Sequence, residues 1–418
     1  MSDAGGIGAG DDDGGPGPVP LGSVDPARSR HAGRRSAVAL TPALAAVGTA
    51  DGALVGVDRA TGERRWTAAA GTGSVVAAVP FAGGVAVGER GPAGEVRLHD
   101  AATGAVRWRH ATAGEVGEPS REGRFQLPYV AALEADGDRL YAAARRYERT
   151  DGGRSFTSAV YAFGPDGGPR WLRRADASPI ALDADGDRLA VAYNRCPGAH
   201  DRGLVVRDAA TGADRWGWDP GAGGERRVGD VALVDDGAAV ASHGDYRGYR
   251  LAPGGTERWR TDLATPTAVG DETLYAYPNH VHATGAGVVF VTGNTYPEEG
   301  RETDGLHPDE HAAFGHAPDG ERRWRAPVDG FAGGIGADGD RLAVPAAQHF
   351  RRRDPGAHGI RLLDVREGSV GSVGTAGVVT AAAVDRTRGP AVAAVEEPVV
   401  YHDDGVERGA YRLHLVDD

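Results

Sequence analysis

Any chemistry in this chain has to come from a few polar clusters. Histidines gather in one stretch, His280, His282, His307, His311 and His316, with Asp309 and Glu310 among them. "HPDEH" sets His307 and His311 four residues apart, a spacing that turns two imidazoles the same way on a helix. The protease form of that motif needs Glu directly after the first His, and Pro308 stands there instead. Zinc centres take three or four ligands in fixed geometry; spacing alone supplies no such set, so the segment reads as a solvated His-rich loop without metal. "DADGDR" (183–188) opens like a calcium loop, which places Gly sixth and Glu twelfth. Here Gly186 is fourth and the twelfth position is Asn194. No Ser-His-Asp set and no carboxylate pair can be brought together from spacing, so no catalytic residue is assigned.

The elements that must position these groups are repeats. Residues 100–108 read "DAATGAVRW" and residues 208–216 read "DAATGADRW", ending at Trp108 and Trp216. Looser copies end at Trp66, Trp171, Trp259 and Trp324, so six of the seven tryptophans share one frame, Gly four residues before and Arg directly before. Trp218 falls outside it. A decayed copy keeps Asp364 and Gly368 with Ser372 where Trp is expected, and a last one stops at Asp418. Self-similarity at a fixed period points to a repeat architecture.

Upstream of each Gly lie two short apolar runs, for instance "RLAVAYNR" then "LVVRDA", bounded by Gly, Asp, Pro or Asn. Such runs are strands, and "DGD" at 136–138, 185–187 and 338–340 marks tight hairpins. Each repeat is then about four antiparallel strands with the Trp on the last. Trp66, Trp108, Trp171, Trp216, Trp259 and Trp324 are accordingly structural residues, each expected to lie against the next copy. Four-stranded sheets packed around an axis cover both their faces. The prediction is an all-β chain, a single eight-bladed β-propeller of four-stranded antiparallel blades over 17–418. Residues 1–16, "MSDAGGIGAGDDDGGP", have almost nothing to bury and read as a disordered acidic, Gly-rich tail. The last copy lacks a fourth strand, and residues within 17–29 are available to close it.

The run of apolar strand followed by "DAATGxxxW" resembles the pyrroloquinoline-quinone-type (PQQ-like) propeller repeat, found in quinoprotein alcohol dehydrogenases and in the outer-membrane barrel-assembly lipoprotein. The resemblance extends from about residue 38 to the end and implies the propeller fold. It also implies what a quinone enzyme would need: a pair of adjacent cysteines, a calcium-binding carboxylate set and a catalytic Asp. With Cys196 alone, none of those positions carries over, and no cofactor is expected.

All 46 basic residues are Arg, against 59 acidic ones, for a formal charge of −13. That balance argues against nucleic acid, whose binding rests on phosphate neutralisation, and suits a halophilic, acidic protein whose charge keeps it solvated. A lone cysteine matches a reducing, cytoplasmic compartment. "GRRSAVALTPALAAVGTA" (33–50) mimics a twin-arginine export signal, the alternative being export. The run nevertheless lies in frame with the first two strands of blade one. No apolar stretch approaches a membrane span, and a monomer is expected.

The tight turns all fall on one rim, leaving the long, varied loops on the other: 145–156, 194–203, 293–311, 348–359 and 396–409. Function concentrates on loops carried by a rigid scaffold. The ends of the second strands supply Thr49, Glu89, Arg145, Asn194, His243, Asn294, Gln348 and Glu396, one polar residue per blade. With Tyr129, Tyr277, Asn279, His280, His282 and His349, these are the candidates for a rim that binds a protein or peptide partner without catalysis. The alternatives are a PQQ-like or metal-dependent redox enzyme using Arg145, His243, His280 and His282, and a small-molecule sensor.

Overall fold

The computed structural model describes residues 16–28, 35–69, 71–119, 123, 125–150, 152–300 and 303–417. Most of them lie in antiparallel four-stranded meanders. Ala37–Leu40, Leu44–Gly48, Leu54–Asp58 and Arg64–Ala68 pair in chain order as set 1. The same order recurs in set 4 (178–218), set 5 (228–262) and set 7 (336–374). Sets 2 (74–111) and 3 (129–175) are joined into one eight-stranded sheet by a single pair, Tyr129 opposite Arg90. Set 6 (267–327) carries a fifth strand, Thr267–Val269, on its edge. Set 8 consists of Val378–Val384, Val392–Glu397 and Arg412–Val416, with Val19–Pro20 paired to Leu413 and Arg412 on its outer edge. Proline suits that place, since an edge strand need not donate outward.

Period-2 alternation sorts the apolar side chains between neighbours. Ala37 and Ala39 of set 1 pack on Val75, Val85 and Val87 of set 2. Val38 and Leu40, one step along the same strand, pack on Ala393, Val395, Leu413 and Leu415 of set 8. Equivalent apolar clusters join each set to the next, so that the first and last sets also meet and the ring is closed.

The repeated Gly and Trp serve this packing, although not within one copy. The Trp66 indole donates to Ala101 O at 3.0 Å, in the turn of the following set, and Trp108 does so to Pro165 O at 3.1 Å. Trp171 to Ala209 O, Trp259 to Pro318 O and Trp324 to Val365 O repeat the contact. The glycine of that next turn is the indole's seat. A Cβ on Gly104 would stand 2.6 Å from Trp66, and one on Gly212 2.6 Å from Trp171, both glycines having positive φ. At Gly62 of set 1 the seat is taken by Pro16 and Val19 instead of an indole.

Trp216 departs from the expected equivalence of the six. It still packs on the apolar cluster between sets 4 and 5, with Val231, Leu233 and Val240. Its indole, however, makes no hydrogen bond among the described residues, and a Cβ on Gly255, the glycine of the following turn, would stand 3.6 Å from Trp216, in ordinary contact. Two features account for the looser seat. That turn is Pro253–Gly255, a short 3-10 helix in place of the Asp-capped hairpin. Trp218, outside the repeat frame, shares the interface: its Cβ would stand 3.4 Å from that same added Cβ, and its ring packs 4.8 Å from Tyr249 of set 5.

Simple alternation would point the Arg before each Trp away from it. Instead the fourth strand bulges there in all six Trp copies: Gly56 faces Trp66 and Val57 faces Arg64, leaving Arg65 as the extra residue. A bulge re-aims its side chain. Arg107 thereby pairs with Asp100 of its own hairpin and donates to Ala82 O and Gly83 O of the neighbouring turn. Arg215 likewise pairs with both Asp208 and Asp187. Asp100 also accepts the N–H groups of Ala102 and Thr103. Arg107 and these turn bonds hold its carboxyl down at about 2. In set 7 the bulge falls on Val370, which puts Gly371 rather than Ser372 in the register of the missing Trp.

The stretch 145–156, read as a loop, is strand on either side of its turn. Arg139–Thr150 and Gly153–Phe163 stay paired out to Thr150 opposite Gly153, because Tyr147 and Phe156 face each other along the extension. Glu272–Thr284 is likewise one strand of 13 residues whose first half pairs with Thr267–Val269 and Gly287–Pro297.

Of the expected tail, residues 1–15 lie outside the described residues, as do 33 and 34 of the twin-arginine stretch and 29 of the closing segment. Within that stretch, Ala37–Leu40 and Leu44–Gly48 are strands of set 1. No helix among the described residues is long and apolar enough to cross a membrane.

Candidate functional site

The innermost strands enclose a central cavity of about 630 Å³. Its lining includes Tyr129, Arg145, Asn194, His243, Asn279, His280 and Asn294, joined by Arg226, Tyr277 and Tyr296. Sequence candidates from several different sets therefore meet around one space.

Arg145 sits on the second strand of set 3 opposite Tyr129. Its guanidinium carbon is 5.3 Å from the Tyr129 ring centre and 5.7 Å from that of Phe156, while Arg90 lies 4.1 Å from Tyr129 on the same rim. Guanidinium over an aromatic face is a favourable electrostatic contact. Burial, with Arg90 adding repulsion, brings Arg145 down to about 10. Asn194 ends the second strand of set 4; its Nδ2 donates to Val228 O at 3.3 Å and lies 2.7 Å from His243 Nδ1. Burial, Arg226 and His280 hold the His243 imidazole neutral, down at about 3. Arg226 stacks on Tyr277 at 4.3 Å, and Tyr246, Tyr275, Tyr277 and Tyr296 form a continuous aromatic cluster with ring centres 4.4–6.0 Å apart. Tyr246 holds φ of 65°, a left-handed conformation costly for a bulky residue.

His280 Nε2 is 3.0 Å from Ala332 O, and its Nδ1 is 3.5 Å from Asp230. Asp230 is tied by the N–H groups of Val231 and Val281. Asn294 accepts from His311 Nε2 at 2.8 Å.

The remaining candidates lie elsewhere. His282 does not reach the long-loop rim: its Nε2 is 2.8 Å from Gly339 O in a tight turn of set 7. The reason is strand length, because two residues beyond His280, Glu272–Thr284 has already reached its hairpin on the opposite rim. Glu396 is buried against its own blade, meeting His414 Nε2 at 2.7 Å and accepting from Gly377 N at 2.6 Å. Glu89 is buried in an ion pair with Arg97. Gln348 lines a second cavity of about 560 Å³ with Arg28, Phe350, Arg351 and Tyr401. The second-strand ends thus do not make one ring; Arg145, Asn194, His243 and Asn294 face the central space.

The histidine stretch is dispersed. His307 bonds toward Thr265 O and Thr267, and His316 stacks on Trp259, so the i, i+4 spacing brings no ligand pair together. His311 instead meets His349 of the following set, ring centres 4.8 Å apart, with Glu310 beside them. This trio has the donors for a metal ion. Arg352 N, however, already donates to His349 Nδ1 at 3.3 Å. Burial first, then His349 and Arg352, holds His311 neutral, down at about 3, and burial with Arg352 brings His349 down to about 4.

Sequence reasoning missed Arg226 and the tyrosines 246, 275 and 296. Arg226 lies just before the first strand of set 5, where a chain entering a set from the long-loop rim must pass; aligning those entry residues would have found it.

Closed ring, central cavity and antiparallel, mostly four-stranded sheets define a β-propeller. Residues 50–232 match the family described as outer membrane protein assembly factor BamB, which supports a PQQ-like repeat over that part of the chain. No curated protein sequence matches the chain. Among solved structures, the quinohemoprotein alcohol dehydrogenase ADHIIG of Pseudomonas putida HK5 is 11% identical with a TM-score of 0.59, over 91% of this chain and 71% of that one. Sqt1 of Saccharomyces cerevisiae is 12% identical with a TM-score of 0.57, over 93% and 99%. The computationally designed Ika8 protein is 15% identical with a TM-score of 0.52, over 92% and 99%. At such identities the likeness is one of fold.

Proposed function

We propose that sets 1 to 8 are the blades of a single eight-bladed propeller, a non-catalytic scaffold that holds a protein or peptide partner at the long-loop rim. The carrying observation is the difference between the rims. On one, bulge arginines pair with turn carboxylates and indoles donate to turn carbonyls. On the other, Tyr129, Arg145, Asn194, Arg226, His243, Tyr277 and Asn294 converge on a cavity mouth flanked by the extended hairpin 139–163. The family description, an assembly factor, accords with a protein that works by holding others. Val19–Pro20 closes the ring as the fourth strand of blade eight. On the same footing, the chain is a monomer in the cytoplasm of a salt-adapted cell.

The test is affinity capture from native lysate in high salt. A partner held by the wild type and by Arg107→Ala on the tight-turn rim, but lost with Arg145→Ala combined with Asn194→Ala, is the expected result. Retention by the double variant refutes the rim.

A further inference from the structure

Arginines in this protein are ordinarily neutralised at close range. Arg97, Arg107, Arg146, Arg188, Arg215 and Arg250 all meet carboxylates. Two at the cavity mouth do not. Arg145 contacts only the rings of Tyr129 and Phe156, and Arg226 only that of Tyr277, so among the described residues neither guanidinium donates a hydrogen bond or meets an acid. With an acid excess of 59 to 46, a pairing carboxylate would be the easiest residue to supply. The carboxylates that line the cavity are Glu134 and Asp230. Asp230 is held by two backbone N–H groups, and Glu134 lies near the end of Tyr129–Asp136, toward the tight-turn rim. A guanidinium withdrawn from water without a partner destabilises the fold. Its five donors form a fork that fits a carboxylate in bidentate fashion.

From this we infer that the partner enters the mouth with an acidic segment, seating carboxylates on Arg145 and Arg226. The half-buried faces of Tyr246, Tyr275, Tyr277 and Tyr296 lie beside that seat, where they offer stacking surface to an extended backbone. Asn194 and Asn279 add polar contacts within the same lining. The inference rests on the rim reading above and narrows it to one chemistry.

The experiment is calorimetric titration of the full chain with a hexaglutamate peptide, a hexaglutamine peptide, glutarate and inorganic phosphate, at low and high KCl. Saturable binding of hexaglutamate, absent for hexaglutamine, is expected. Arg145→Met and Arg226→Met should each weaken it at least about tenfold, with Arg107→Ala unchanged and binding weaker in KCl. Arg145→Met should leave the unfolding midpoint equal or higher, because an unpaired charge has been removed; a role confined to structure would lower it. Equal binding of hexaglutamine, or insensitivity to both Met variants, overturns the inference. Glutarate or phosphate binding as tightly as the peptide overturns the peptide assignment in favour of a small anion. If lysate capture depends on the rim while hexaglutamate neither binds nor competes, the acidic-segment inference falls and the rim reading stands.

Discussion

Two glycine-to-alanine changes, Gly104→Ala and Gly137→Ala, separate what a turn needs from what an indole needs. Both positions have positive φ, 74° and 57°, in hairpin turns of the same rim. Alanine in that region costs about 1–2 kcal/mol at either site, and the stiffening of the unfolded chain is common to both. Only Gly104 carries a neighbour: its Cβ would stand 2.6 Å from Trp66 Cε3 and 2.8 Å from Cδ2, whereas nothing lies within 4 Å at Gly137. Accommodating it means moving the indole, which loses the Trp66–Ala101 hydrogen bond, about 1 kcal/mol, and forces repacking of about 1–3 kcal/mol. Gly104→Ala should therefore be the more destabilising by about 2–4 kcal/mol. Denaturant titration is the assay of choice, because a chain this size unfolds with an entropy of about 0.9 kcal/mol per kelvin by the usual per-residue value. A difference of about 3 kcal/mol would move a thermal midpoint only about 3–4 °C. Equal losses at the two sites would refute the seat. So would a Gly104→Ala penalty that persists undiminished in a Trp66→Ala background, where the coupled term should vanish.

Deleting residues 1–28 should lower the denaturation midpoint sharply by stripping the outer edge of set 8 and the cover of Gly62, whereas deleting 1–15 should not; equal midpoints for the longer truncation and the full chain would refute ring closure. Burial, with Asp183 nearby, pushes the Glu134 carboxyl up to about 8, and burial pushes Asp183 up to about 7. A carboxyl that keeps its proton in the fold after the unfolded chain has lost it contributes most below the ordinary carboxylate range. Its stabilisation is lost as pH rises through those folded values. Stability measured from about pH 5 to about pH 9 should thus fall toward the alkaline end, and Glu134→Gln should flatten the fall; an unchanged slope would count against the buried pair. At a net charge of −13, raising KCl should raise the unfolding midpoint by screening self-repulsion, and a flat or falling midpoint would argue against salt adaptation.

The propeller was legible because its determinants are local and repeated. "DGD" and "DAATG" name their turns, and period-2 runs such as "RLAVAYNR" name their strands. What escaped is what depends on neighbours in space. Gly104 and Trp108 share a copy in sequence, yet Gly104 seats Trp66 of the blade before, so the recurring Gly–Trp spacing is a period and not a contact. For the same reason Trp216, whose copy is among the best preserved in the chain, has the loosest seat: what holds an indole is the turn of the next blade, and there "APGGT" replaces "DAATG". The bulge at Arg65, Arg107 and their equivalents has no signature of its own, because an extra residue in a strand looks like any other residue. His282 leaves the rim through the length of its strand, which no local pattern displays. His311 and His349 meet only because one blade follows another.

Why the two rims differ follows from what each must do. A typical tight turn has to hold an Asp that caps it, an Arg that reaches it and an indole from the blade before. Those bonds leave little free chemistry and explain why the same few letters recur there. The long-loop rim carries no such obligation, so its residues can diverge, and Arg145 and Arg226 show what divergence produced. Among the described residues, removing either guanidinium loses no hydrogen bond, while keeping it leaves a cation partly withdrawn from water. A side chain that packing alone does not require, facing a cavity shared by residues from several blades, is better accounted for by what enters that cavity than by what surrounds it.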